Sequence, residues 1–228
     1  WQARVFPDLH GAETSEFREA TIQDEKGERL LEIRKEPIYD IFMNLAGQLY
    51  IFRDITTQRQ MEQQILFNSN TDFLTGLFNR RHFYEILAKE RGDQRVSLIY
   101  VDLDYFKLLN DTQGHQAGDE ALILTSDLLK QCFPDAVLTR LGGDEFLILY
   151  LGNWELNDLK HRAEIFLREM SEQCRSHSEL PHLTASIGIA QTDDPQLSVD
   201  QLMQRSDQAL YQAKQQGRDQ ICIYGTEK

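Results

Sequence analysis

An α+β fold, with helices flanking one mixed β-sheet and with an antiparallel β piece and a connecting helix in front, is what this sequence predicts. Three observations carry the expectation. Residues 1 to 56 hold β-rich or alternating runs, and residues 57 to 70 are dense in Glu, Gln and Met with no Gly or Pro. From Thr71 onward, helical periods alternate with short apolar strands, some joined as hairpins, which implies a layered α+β domain with a mixed sheet.

In the first piece, strands are expected over Phe17–Ile22, Leu30–Ile41 and Leu49–Ile55. The turns between them fall at Asp24-Glu25-Lys26-Gly27 and at 44–48. Sixty residues of sheet bury little alone, so this piece leans on another part or ends a larger domain. The helix over 57–70 puts Met61, Ile65, Asn68 and, beyond it, Asp72 at spacings of four and three, a short seam able to meet a second copy. Two polar members make it a connector that dimerises with help.

In the second piece, Asn79–Ala88 reads as a helix with Phe83, Ile86 and Leu87 inward, followed by a strand over Arg95–Val101. A helix over Asp119–Cys132 rests on Leu122, Leu128, Leu129 and Cys132, and Ala136–Tyr150 makes a hairpin around Gly142-Gly143. Trp154–Cys174 is a long amphipathic helix on Leu159, Ala163, Phe166, Met170 and Cys174. A strand then carries Leu183, Ala185, Ile187 and Ile189 on one face. Ser198 with Gln201 forms a capping box for a last helix stopped at Gly217, and Gln220–Tyr224 closes as an edge strand.

Composition narrows the function. The chain has 228 residues, 41% of them hydrophobic and 27% charged, and no apolar run approaches a membrane span. It begins at Trp1 without a signal peptide, so a cytoplasmic fragment is expected whose upstream part, with room for a membrane anchor, lies out of view. Cys132, Cys174 and Cys222 are odd in number and widely spaced, which suits reduced thiols. A net charge of −13 disfavours nucleic acid, while a phosphate ligand is allowed if metal ions and a few placed cations neutralise it locally.

Candidate chemistry collects at four places. Asp102 and Asp104 follow the apolar run Leu98–Val101, and a continuing strand would point both to one face. Gly142-Gly143 delivers Asp144 and Glu145 to the start of another apolar strand; taken alone this is either a metal site or an ordinary acidic turn. If the carboxylates converge across neighbouring strands, they form a hard-oxygen site for Mg²⁺ or Mn²⁺, and no His or Cys cluster suggests zinc. The stretch from Phe106 to Asp119 has the composition of a binding loop, with Lys107 for phosphate, Asn110 and acidic side chains for a base edge, and His115 as a loop brace when taken alone. Lys214 and Arg218, four apart near the end of the last helix, are either a solvated basic patch or a phosphate clamp.

Two resemblances order these pieces. The runs Glu36-Pro37-Ile38-Tyr39-Asp40, Gly47-Gln48-Leu49 and Arg53-Asp54-Ile55-Thr56 resemble the last strands of a PAS sensor domain. This divides the chain into 1–56 as the C-terminal part of a PAS-like sensor, 57–70 as a signalling helix and 71–228 as the second domain. That domain resembles the GGDEF family of diguanylate cyclases. The matching pieces are Thr71-Asp72-Phe73-Leu74-Thr75-Gly76-Leu77-Phe78-Asn79-Arg80, Asp102-Leu103-Asp104-Tyr105-Phe106-Lys107, Asn110-Asp111 with Gly114-His115 and Gly118-Asp119, Arg140 through Phe146, Thr184 through Gly188, and Asp207 through Arg218.

The resemblance implies a nucleotidyl-cyclase and polymerase-palm-like fold and a reaction condensing two GTP into cyclic di-3′,5′-GMP and two pyrophosphates. Each domain of a homodimer presents one GTP, with two Mg²⁺ or Mn²⁺ ions per GTP. It implies metal at Asp102, the Leu103 carbonyl, Asp144 and Glu145, with Asp144, Glu145 and Lys107 catalytic. Asn110 and Asp119 would read guanine, Lys107, Lys214 and Arg218 would hold phosphates with the Phe106 amide, and Tyr105 and His115 would line the substrate. The alternative is a silent GTP-binding module that signals by contact. One departure stands out: many family members carry an inhibitory product site, Arg-x-x-Asp, whose positions are Phe133 and Ala136 here, with Asp135 off register.

Overall fold

Alternation along one strand, Val96–Asp104, organises the larger part of the chain. The structure is a computed structural model that describes residues 4–5, 16–24, 27–176 and 183–225. The chain divides into two compact units, Trp1–Ser69 and Asn70–Lys228.

The first unit is an antiparallel sheet of β1 (Arg4–Val5), β2 (Glu16–Asp24), β3 (Gly27–Tyr39) and β4 (Leu45–Asp54), in that order. Glu25 and Lys26, in the expected first turn, lie outside the described residues. The second turn sits earlier than expected, at 40–44. The Asp40 carboxylate accepts the Phe42 and Asn44 amides at 2.8 Å each, an Asx-type closure that lets β4 start at Leu45 rather than Leu49. Helix α1 (Thr56–Asn70) begins where the Asp54 carboxylate accepts the Thr56 amide (3.0 Å) and hydroxyl (2.7 Å). Met61, Ile65, Leu66 and Phe67 are exposed on it. Asp72, expected on the same seam, lies beyond the helix end in a turn, where it accepts the Thr75 amide and hydroxyl.

The second unit runs β5 (Phe78–Asn79), α2 (Arg80–Glu90), β6 (Val96–Asp104), α3 (Phe106–Gln113), α4 (His115–Cys132), β7 (Val137–Gly142), β8 (Glu145–Leu151), α5 (Leu156–Ser176), β9 (Thr184–Thr192), α6 (Val199–Gln215) and β10 (Ile221–Ile223). The sheet order is β10-β9-β6-β8-β7-β5. β10 pairs with β9 and β5 with β7 in parallel, and the other pairs are antiparallel, so the sheet is mixed.

β6 is central, and all nine of its residues are buried. Its side chains alternate between two cores. Ile99, Val101 and Leu103 join α4 and α5 through Leu122, Leu129, Leu159 and Phe166. Val96, Leu98 and Tyr100 join α2 and α6 through Phe83, Leu87, Leu202 and Leu210. Continuing the second set, Asp102 and Asp104 leave the strand on the α6 face. α6 lies very close to β9 there, since a Cβ on Gly188 would run into the Ser206 carbonyl and the Leu210 amide. Among the described residues no disulfide joins the three cysteines, and no helix is long and apolar enough to cross a membrane.

Candidate functional site

The α6 face of the sheet gathers charge at the carboxyl end of β6. Glu145 pairs in register with Asp102, and Ser186 pairs with Asp102 from the other side. Cross-strand partners share a face, so Tyr100, Asp102, Asp104, Glu145 and Ser186 stand together. Asp144, in the turn just before β8, has its carbonyl bonded by the Leu103 amide at 3.3 Å. The N–H and C=O of an extended residue point to the same edge, so the Leu103 carbonyl also faces this turn.

Burial is the main reason that Asp102 is pushed up from 3.8 to about 6, against Lys214 and with help from Asp144 and Glu145. Burial, with Glu145 beside it, also holds the Tyr100 phenol well above its ordinary range, so its hydroxyl stays a donor toward Glu145. Tyr100 and Ser186 were missed as site residues, although the period-two pattern through Asp102 points to Tyr100.

Two cations answer these carboxylates. Lys214 Nζ lies 2.7 Å from Asp102 Oδ1, and Arg218 Nε lies 3.8 Å from Asp104 Oδ1, with its guanidinium 4.8 Å from the centre of the Tyr105 ring. Asp104, grouped by sequence with the metal carboxylates, is instead taken up by protein donors. Ser186 Oγ (2.8 Å), Thr184 Oγ1 (2.9 Å) and the Asp219 amide (3.1 Å) all donate to it, and its side chain has no exposed surface. The segment it holds is left-handed throughout, with φ +119° at Gly217, +67° at Arg218 and +47° at Asp219. For the two non-glycine residues that conformation costs roughly 1–2 kcal/mol each.

The expected binding loop over 106–119 is helical. Residues 106–113 contain no Gly or Pro and form α3; Gly114, at φ +89°, breaks the chain, and α4 starts at His115 rather than at Asp119. Tyr105 precedes α3 in a left-handed conformation with no side-chain cap, so the first amides of the helix, at Phe106 and Lys107, have no acceptor within it. Lys107 is exposed, and so are Asp119 and His115 in the first turns of α4. The Asn110 side chain lies against Gly118, where an added Cβ would collide with its carboxamide, which places Asn110 beside the residue that precedes Asp119.

The turn that carries Asp144 is braced from behind. Gly142 and Gly143 have φ +145° and +55°, and Arg140 donates to the Gly143 carbonyl (2.8 and 3.1 Å) and to Asp72 Oδ1 (3.0 Å). Desolvation pushes Asp72 upward, but hydrogen bonds from Thr75 and Arg140 outweigh it and hold the carboxyl below its usual range. No sequence signal tied Asp72 to Arg140, which lie 68 residues apart.

Among the described residues no three His, Cys, Asp or Glu side chains form a preassembled metal cage. The donors that do converge are Asp102, Asp144 and a main-chain carbonyl, with Glu145 close by. An all-oxygen set with so few protein ligands fits Mg²⁺, which is commonly held by one or two carboxylates together with substrate phosphates. The raised Asp102 carboxyl fits as well, because a divalent cation offsets the cost of ionising a buried carboxyl and, to a lesser degree, its repulsion by Asp144 and Glu145.

Residues 69–220 match the family described as "Diguanylate cyclase, GGDEF domain". Diguanylate cyclase DgcM of Escherichia coli K12 is 37% identical over 179 residues, which cover 76% of this chain and 43% of that protein. Cyclic di-GMP phosphodiesterase PdeR of the same organism is 31% identical over 212 residues, 89% of this chain and 31% of that protein. The chain thus spans less than half the length of either relative. Among solved structures, the coiled coil and GGDEF domain of DgcB from Caulobacter crescentus, in complex with c-di-GMP, matches with a TM-score of 0.66 at 28% identity, covering 74% of this chain and 93% of that one.

Proposed function

The chain belongs to the GGDEF family of diguanylate cyclase domains, and on that premise we propose that it condenses two GTP into cyclic di-3′,5′-GMP and two pyrophosphates in a homodimer. The observation that carries the reading is the meeting, at one end of β6, of Asp102, Asp144 and Glu145 with Lys214 and Arg218. A buried carboxylate beside two further acidic side chains, with cations that a phosphate could draw away from it, suits a metal-bound triphosphate better than it suits a folded core.

In this reading Asp102, Asp144 and the Leu103 carbonyl hold Mg²⁺ or Mn²⁺. When bound, such ions neutralise the pyrophosphate leaving group and lower the pKa of the attacking 3′-hydroxyl. Glu145, kept in place by the Tyr100 hydroxyl, assists the metal or takes the hydroxyl proton. Lys107, Lys214 and Arg218 carry phosphate charge, and the amides opening α3 at Phe106 and Lys107 donate to a phosphate oxygen, an N-terminal placement favoured by the helix dipole. Asn110 and Asp119 read the guanine edge, with Tyr105 and His115 along the substrate. A carboxylate accepts from the N1–H and N2–H₂ edge of guanine, which adenine does not offer.

One domain presents one GTP, so catalysis requires two facing copies. The exposed apolar residues of α1 support a helix that pairs with its counterpart, and the first unit is read as a PAS-like input acting on that pairing. Incubation with GTP and Mg²⁺ should yield cyclic di-GMP and pyrophosphate, and Asp144→Ala should yield neither. Binding of GTP without turnover would point instead to a silent module that signals by contact. An active Asp144→Ala variant would refute the metal assignment.

A further inference from the structure

We propose that Asp104 is a positioning residue for the phosphate clamp: its buried carboxylate holds the left-handed turn Gly217–Asp219 and thereby aims Arg218 at the triphosphate, and it ligates no metal. The inference rests on the cyclase reading of this site.

The distribution of bonds separates the two aspartates. Asp102 meets one cation and two like charges. Asp104 is met by three protein donors, two hydroxyls from β9 and the main-chain amide of Asp219, leaving little lone-pair capacity for a metal. The amide it accepts belongs to the second of two consecutive non-glycine residues at positive φ. A backbone in that region persists only where its surroundings over-determine it. Three interactions do so here: Asp104 on the Asp219 amide, the Arg218 amide on the Ala213 carbonyl at 3.1 Å, and the Arg218 guanidinium over the Tyr105 ring.

Of these, the Asp104 bond also sits beside the Arg218 head group, which lies 3.8 Å away and is not hydrogen-bonded to it. Arg218 is therefore oriented by Asp104 while, apart from one long bond from its Nη1 to the Tyr105 hydroxyl (3.5 Å), its N–H groups face an incoming anion. An Asp104→Asn change would disturb this, because the amide –NH₂ cannot accept. The variant's single oxygen would keep the Asp219 N–H while its –NH₂ faces Ser186 Oγ, so the turn would be held by a neutral, weaker bond and Arg218 would lose the charge beside it.

The test is calorimetric binding of a non-reactive GTP analogue with Mg²⁺ to the whole chain, measured first on the unmodified protein. Asp104→Asn should bind about tenfold more weakly, the loss of one charge-assisted hydrogen bond. Arg218→Ala should weaken binding similarly, and the double variant should lose little more than either alone, because both changes remove one function. The Mg²⁺ concentration giving half-maximal analogue binding should stay unchanged in Asp104→Asn and rise in Asp102→Asn. Additive losses in the double variant, or a Mg²⁺ midpoint that moves as in Asp102→Asn, would overturn the inference while leaving the site reading intact. An unmodified protein that binds no analogue would remove both together. Should Asp104→Asn lack a melting transition, Ser186→Ala takes its place, removing one donor but not the charge. A loss of about threefold is then expected, and affinity equal to the unmodified protein counts against the proposal.

Discussion

Removing the charge of Asp102 should make the metal-free protein more stable while it abolishes activity. Asp102 sits at the end of the central strand with 8% of its surface exposed, and its carboxyl is pushed from 3.8 to about 6. At about 1.4 kcal/mol per tenfold change in ionisation, that rise corresponds to about 3 kcal/mol held against the folded state once the group is ionised. The folded carboxyl keeps its proton to higher pH than the unfolded one, so stability is lost as pH rises from about 4 to about 6 and stays lost above that. Asp102→Asn removes the cost of ionising a buried carboxyl but leaves Lys214 without its partner; Lys214 is partly exposed and can be solvated, so a net gain of about 1–3 kcal/mol is expected at pH 8. For a unit of this size that is on the order of 3–10 °C in melting temperature. The assay is thermal unfolding in EDTA between pH 5 and 8, with roughly half of the pH-dependent loss in the unmodified protein falling in this range and little of it in the variant. Mg²⁺ with a GTP analogue should raise the melting temperature of the unmodified protein and leave Asp102→Asn nearly unmoved. Equal or lower stability of the variant in EDTA, with the same pH slope, would show that these carboxylates do not burden the fold.

Four other changes test neighbouring parts of the account. Gly188→Ala puts a methyl into the backbone of α6 and should destabilise by about 1–3 kcal/mol by chemical denaturation, with a larger loss of GTP affinity than of secondary structure, because Lys214 rides on that helix. Gly118→Ala displaces the Asn110 carboxamide and should narrow the preference for GTP over ATP by about tenfold in competition binding, with an undiminished preference counting against Asn110 as a guanine reader. Titrating cyclic di-GMP into the turnover assay should give no noncompetitive inhibition through the Phe133–Ala136 turn, since Phe133 is fully buried against Phe166 rather than presented to a ligand. Turnover per domain should rise with protein concentration, and a rate per domain that is constant across the range would argue against assembly-limited catalysis.

Local pattern made most of the fold legible. The apolar run ending at Val101, the glycine pair at 142–143 and the capping box at Ser198 each mark an element by chemistry that acts within a few residues, and each element is found there. The stretch 106–119 was misread because its polar composition outweighed its lack of helix breakers before Gly114. The partners of Asp104 are hidden from the sequence for a different reason. Alternation gave its face correctly, but only the pairing of β6 with β9 brings Thr184 and Ser186 to it, across 80 residues and more. Asp72 and Arg140 likewise meet through tertiary structure alone. The carboxylates and cations of the candidate site were recognisable one by one, whereas which carboxylate faces which cation depended on the register of three strands.

Because the side chains of β6 alternate without interruption from the core into the carboxylates, the strand's count of residues is itself part of the site. Inserting or deleting one residue between Val96 and Val101 would send Asp102 and Asp104 into the greasy layer beneath α4 and α5, and would turn half the apolar set toward Lys214 and Arg218. Substitution can tune this segment, but its length is closed to gradual change. Lineages carrying the chemistry must inherit the spacing from core to carboxylate intact or lose fold and site in the same step.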